Sequence, residues 1–136
     1  MQTFLPYANF VESARVLDYR RLGKQRVEAK QLLNALRNPR AGWANHPAAK
    51  MWRGHEAALR LYHDACIAEW CARGYRNTMQ LLASRADARR ATMPPWFGAK
   101  TFHASHRSNL LRKDPHYYGQ FGWREPPDLP YVWPAP

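Results

Sequence analysis

From Asn9 onward, apolar residues recur at spacings of three and four, the period of an amphipathic helix. Asn9 can cap such a helix, and Glu12 stands three residues on, in the pattern of a capping box. The periodicity predicts one helix from Asn9 to about Leu36, stopped by Asn38-Pro39 and Gly42, with Gly23 as its weak point. A second helix is predicted from Asn45, a candidate cap, to Arg73-Gly74, with Pro47 in the first turn, where no amide donor is needed. Along it Met51, Trp52, His55, Leu59, Tyr62, Cys66 and Trp70 follow at helical spacing, and alanines fill much of the other side. A helix apolar over most of its circumference is expected to be central. A short helix is predicted after Asn77, through Met79, Leu81 and Leu82, leading into the basic stretch Arg85 to Arg90. Thr92 to Gly98 reads as a rigid loop, and a further helix runs from about Thr101 to Lys113, ended by Asp114-Pro115. No segment alternates as a strand does. The expected fold is all-α: a single compact domain over residues 1–136, with three main helices, a shorter helix and an irregular aromatic, Pro-rich C-terminal tail.

The polar positions of the first helix carry more than its amphipathicity. At about 100° per residue, Phe10, Val11, Ala14, Leu17, Leu22, Ala29, Leu32, Leu33, Ala35 and Leu36 share one broad face. Arg20, Lys24, Arg26 and Lys30 share the opposite face, while Asp18, Arg21, Gln25 and Glu28 fall among the apolar residues. Ionised groups are rarely buried unpaired, because desolvation is costly. These side chains must either satisfy one another, as Asp18–Arg21 and Gln25–Glu28, or line a polar pocket at the edge of the core. A carboxylate-bearing pocket beside a cationic face is what a DNA-processing enzyme requires.

Charge sharpens this picture. The formal net charge is +11, and sixteen of the 21 basic residues are Arg, whose planar fork of donors suits phosphates and base edges. That balance favours a polyanionic partner, with double-stranded DNA the foremost. No apolar run approaches the length that spans a bilayer, and the first residues lack the pattern of a signal peptide, so no membrane partner and a cytoplasmic location are expected. Cys66 and Cys71 lie five residues apart on a predicted helix, a rise of about 7.5 Å, which suits two free thiols in a reducing compartment better than a disulfide.

Further candidates lie late in the chain. His103 and His106, three residues apart with Arg107 adjacent, are candidate phosphate or base contacts. No motif supplies the further ligands that a metal would need, so no metal and no cofactor are expected. His55 reads as a core histidine, Trp96 in its Pro-Pro loop as a candidate wedge into a duplex, and the tail aromatics, Tyr131 and Trp133 among them, mainly as a wrap over the core, with stacking on bases as the alternative.

Several of these stretches resemble a known family. Val16-Leu-Asp-Tyr-Arg-Arg-Leu-Gly-Lys24 resembles the Glu-Tyr-Arg-Glu-Leu-Pro-Arg segment of the phage-type pyrimidine-dimer DNA glycosylases, also called endonuclease V. Ile67-Ala-Glu-Trp-Cys-Ala-Arg-Gly-Tyr-Arg-Asn77 resembles their Ala-Glu-Cys-Leu-Lys-Arg-Gly-Phe-Asn stretch, and His103 to Leu110 and Tyr117-Tyr118-Gly119 occur in the family's order. The resemblance implies a compact all-α monomer acting on a damaged or modified pyrimidine. It implies attack on the sugar C1′ by an N-terminal α-amine, an imine intermediate and strand cleavage by β-elimination. An α-amine titrates near about 8, against about 10.4 for lysine, so an appreciable fraction is nucleophilic at neutral pH.

Two departures stand out. The family's amine belongs to a residue exposed by loss of the initiator Met, whereas Gln2 here favours its retention, making Met1 the nucleophile. The family's catalytic Glu aligns with Arg21, leaving Asp18 or Glu28 to supply the carboxylate. On this reading Met1, Asp18, Arg21 and Glu28 form the catalytic set, and Arg20, Lys24, Arg26, His103, His106 and Arg107 contact DNA. The alternative is a non-catalytic DNA-binding module that keeps the fold and has lost the chemistry.

Overall fold

The computed structural model describes residues 1–135, and all regular structure among them is helical. Its elements are α1 (Phe10–Val16), α2 (Tyr19–Arg37), α3 (Pro47–Trp52), α4 (Glu56–Ala72), α5 (Arg85–Arg90), α6 (Lys100–Lys113), α7 (Pro115–Tyr118) and a 3-10 turn, Gly119–Phe121. The long helices α2, α4 and α6 are the three main ones, and α2 packs most extensively on α4. Trp52, Tyr62, Tyr118, Phe102, Leu22, Leu32 and Leu59 are among the largest side chains of the core between them.

Both long predicted helices are interrupted. The first breaks not at Gly23 but at Leu17 and Asp18, whose backbones are extended. The Asp18 N–H donates to the Tyr118 hydroxyl at 3.0 Å, so a residue of the tail satisfies the amide released there. The change of axis leaves Val11 half-exposed rather than on the core face. Gly23 stays helical, and its missing side chain has a different use: a Cβ there would meet the Trp70 ring at 3.1 Å. The second helix breaks at Arg53-Gly54-His55, where Gly54 has φ +84°, a conformation that side chains rarely adopt. His46, not Asn45, caps α3, accepting from Ala48 N–H at 3.0 Å.

The predicted helix after Asn77 is absent. The Asp64 carboxylate accepts from the backbone N–H groups of Leu82 and Ala83 at 2.9 and 2.8 Å, which holds that chain in a non-helical path. Helix formation resumes in the basic stretch, where Ser84 and Asp87 form a capping box and Arg60 clamps Asp87 at 2.8 and 2.9 Å. Cys66 is buried and Cys71 exposed, both as free thiols. No helix among the described residues is long and apolar enough to cross a membrane.

Candidate active site

Residues 2–6 form no helix, yet they are buried in the middle of the molecule. A buried backbone must have its polar groups paired, and here side chains do the pairing. Gln2 N–H donates to Glu28 Oε2 at 3.2 Å, Phe4 N–H to Gln25 Oε1 at 2.8 Å and Leu5 N–H to His106 Nδ1 at 2.9 Å. Gln25 Nε2 returns a bond to the Gln2 carbonyl at 2.7 Å, and the Tyr62 hydroxyl meets the Phe4 carbonyl at 2.8 Å. His103 Nδ1 lies 2.7 Å from the Leu5 carbonyl, and Arg107 donates to that of Pro6 at 2.7 Å. Three helices therefore hold the first residues in one fixed path.

That path delivers Met1 to a cleft of about 370 Å³ lined by Met1, Gln2, Phe4, Arg20, Arg21, Lys24, Gln25, Glu28, Lys113, Tyr131 and Trp133. Glu28 is its carboxylate. Lys24 Nζ is 3.9 Å from Glu28 Oε1 and Gln25 Nε2 3.5 Å from Oε2, so both oxygens face donors. Arg20, Lys24 and Glu28 also line a neighbouring apolar groove of about 530 Å³, walled by Tyr19, Gly23, Val27, Gln31 and Trp70. Tyr19 stacks on Trp70 at 5.4 Å, and the Arg26 guanidinium sits 4.0 Å over the same indole.

Asp18 does not line the cleft. Its carboxylate accepts from the Tyr118 hydroxyl and from Arg21 Nη1, the latter at 3.0 Å. Partial burial opposes the charge, but the Tyr118 hydroxyl and then Arg21 outweigh it and hold the carboxyl below its ordinary value. Asp18 thus pairs with Arg21, which lines the cleft, and Glu28 is the carboxylate on the cleft wall.

The late candidates are corrected. His103 and His106 are 4% and 0% exposed and cannot touch a phosphate; both serve the Leu5 backbone. Arg107 is spent inside the fold on Pro6 and on Glu125, at 2.7 and 3.2 Å. Arg26 divides itself between Trp70 and Asn77 Oδ1, at 2.9 Å from the latter. His55 sits at the break before α4, and Trp96, 6% exposed, is a core residue whose indole donates to the Met51 carbonyl at 2.9 Å, so it is no wedge.

Burial holds the His106 imidazole down at about 3, with the nearby His103 adding to the effect. In the unfolded chain it takes a proton near about 6.5. Its stabilising contribution is therefore complete above that pH and is lost as pH falls towards 3. Unfolding free energy should fall by roughly 1.4 kcal/mol per pH unit across this window on account of one such group. His106→Gln, which keeps an acceptor for Leu5 N–H, should flatten the slope between pH 6 and 4 in urea titrations; an unchanged slope would assign the acid sensitivity elsewhere.

Sequence reasoning missed Lys113 and His46, and it read Tyr131 and Trp133 mainly as part of a wrap over the core, where the structure sets them on the cleft wall. Lys113, the last residue of α6, lines the cleft, and its ammonium is held below the ordinary lysine value by partial burial first and by Arg21, Arg112 and Lys24 after it. The His46 imidazole is likewise held down, by burial and then by the charge of the N-terminal amine. The basic run at the end of α6 was the signal available for Lys113, and the aromatic richness of the tail that for Tyr131 and Trp133; nothing in the local pattern marks His46.

The family model for pyrimidine dimer DNA glycosylases matches residues 1–83, the part of the chain that holds Met1, α2 and α4. The chain belongs to the pyrimidine dimer DNA glycosylase family. No curated protein and no solved structure matches it. The matched span supplies most of the cleft of this glycosylase-family chain; Lys113, Tyr131 and Trp133 come from beyond it.

Proposed function

We propose that the protein is a DNA glycosylase with lyase activity, excising a damaged or modified pyrimidine from duplex DNA. In this reading the α-amine of Met1 is the nucleophile and Glu28 the acid–base group. The observation that carries it is the bond from Gln2 N–H to Glu28 Oε2, 3.2 Å, which ties the amine's immediate neighbour to the carboxylate within one cationic cleft. Arg20, Arg21, Lys24 and Lys113 supply positive charge for the phosphates on either side of the target sugar.

The chemistry follows from these groups. The neutral amine bonds to C1′, the glycosidic bond breaks, and its electron pair leaves with the base, which takes up a proton. Glu28 accepts the proton that the amine loses and returns one to the ring oxygen as the sugar opens to the imine. Loss of a C2′ proton then expels the 3′ phosphate and breaks the strand.

Borohydride reduction during incubation with DNA containing an abasic site tests this. A covalent adduct mapping to the N-terminal peptide is expected, and acetylation of the Met1 amine should abolish it. An adduct on the Lys113 or Lys24 peptide would move the nucleophile. DNA binding without any adduct would favour the non-catalytic module.

A further inference from the structure

Beyond the 3-10 turn the chain is fastened along α6. Glu125 pairs with Arg107, the Ser108 hydroxyl donates to the Pro126 carbonyl, Asn109 Nδ2 donates to the Leu129 carbonyl at 3.1 Å, and Val132 N–H donates to Ser105 Oγ at 3.2 Å. These bonds deliver Trp133 to the wall of the cleft that holds Met1 and Glu28. Trp133 is 39% exposed, although it belongs to the largest apolar residue type. Its protein neighbours are His46, at 5.9 Å and 84°, and Tyr131, at 5.6 Å and 50°; neither ring lies parallel to it. The His46 ring is itself held by the Ala48 N–H bond, so Trp133 rests on a fixed edge.

An indole fixed at its rim, uncovered by any parallel ring and bordered by cations, is suited to stacking on a planar group attached to phosphates. The geometry points to Trp133 as the platform for a pyrimidine base displaced from the duplex into this cleft, a specificity-determining contact from a segment outside the family match. This rests on the glycosylase reading for its biological setting. The stacking contact itself depends only on an unpaired base reaching the cleft, so the two can fail separately.

The affinity of the full chain for two duplexes tests it. One carries a single unpaired pyrimidine, the other a tetrahydrofuran abasic analogue at the same position, both read by fluorescence anisotropy. Trp133→Ala should weaken binding to the first by roughly 5- to 150-fold and leave the second within twofold. Trp133→Phe should keep most of the preference. Equal losses on both duplexes, or no loss on either, would overturn the platform. Borohydride trapping on an aldehydic abasic site, which has no base to stack, reads the glycosylase proposal separately. Wild-type protein that fails to trap sinks that reading, while the affinity difference still decides Trp133.

Discussion

Glu28→Gln is expected to slow base release by roughly 10²–10⁴-fold while leaving the fold in place. The amide is nearly isosteric with the carboxylate and retains an oxygen for the Gln2 and Gln25 donors, so the path of the first residues is preserved. What it removes is the capacity to take and return a proton in a cleft otherwise furnished with cations. DNA affinity should hold or rise slightly, because a negative charge leaves a cationic surface. Asp18→Asn is the informative comparison: that carboxylate is already engaged by Tyr118 and Arg21, so its loss should act through the placement of Arg21 and cost less. Single-turnover base release would separate the two. A Glu28→Gln variant within threefold of wild type would remove Glu28 from the chemistry.

Gln25→Leu should be the more damaging change to the fold. Gln25 is 1% exposed, and its amide pairs with the backbone of the first residues on both of its atoms. Leucine fills similar space but leaves the Phe4 N–H and the Gln2 carbonyl without partners in the interior. At about 1–3 kcal/mol for each orphaned group, the loss is roughly 2–6 kcal/mol. Urea unfolding would measure it, and imine trapping should decline in parallel as Met1 loses its fixed position. A loss below about 1 kcal/mol would mean that Phe4 and Leu5 hold the segment by apolar packing alone.

The helical class and two of the long elements, α2 and α4, were legible because periodicity survives in them, whereas α6, whose buried side is largely polar, was legible from its Asp114-Pro115 stop. The breaks were not. Leu17-Asp18 carries no Gly or Pro; its extended backbone is stabilised by Tyr118, a hundred residues away. The stretch after Asn77 has helix-forming residues, yet Asp64 draws its amides into a different path. For the site, the anomaly of polar residues on an apolar face was visible in α2, and Gln25 and Glu28 do meet at the cleft. What they serve was hidden, because their partner is the backbone of residues that have no periodic pattern. The same blind spot misassigned His103 and His106: a pair of histidines beside an arginine looks like a surface motif until a buried N–H and carbonyl are seen to need them.

The pairing of the first residues with α6 also orders events during synthesis. Leu5 and His106 are 101 positions apart, and Tyr7 and Trp123 are 116 apart. At about 5–20 residues per second, the opening segment waits on the order of 5–20 s before these late partners emerge. During that interval Phe4 and Leu5 have only the α2 and α4 side of their interior to enter, and such distant closures are slow to form in any case. The far wall of the cleft, with Lys113, Tyr131 and Trp133, is thus among the last features of the fold to be completed, and a nascent or prematurely ended chain carries the amine beside an open-sided cleft.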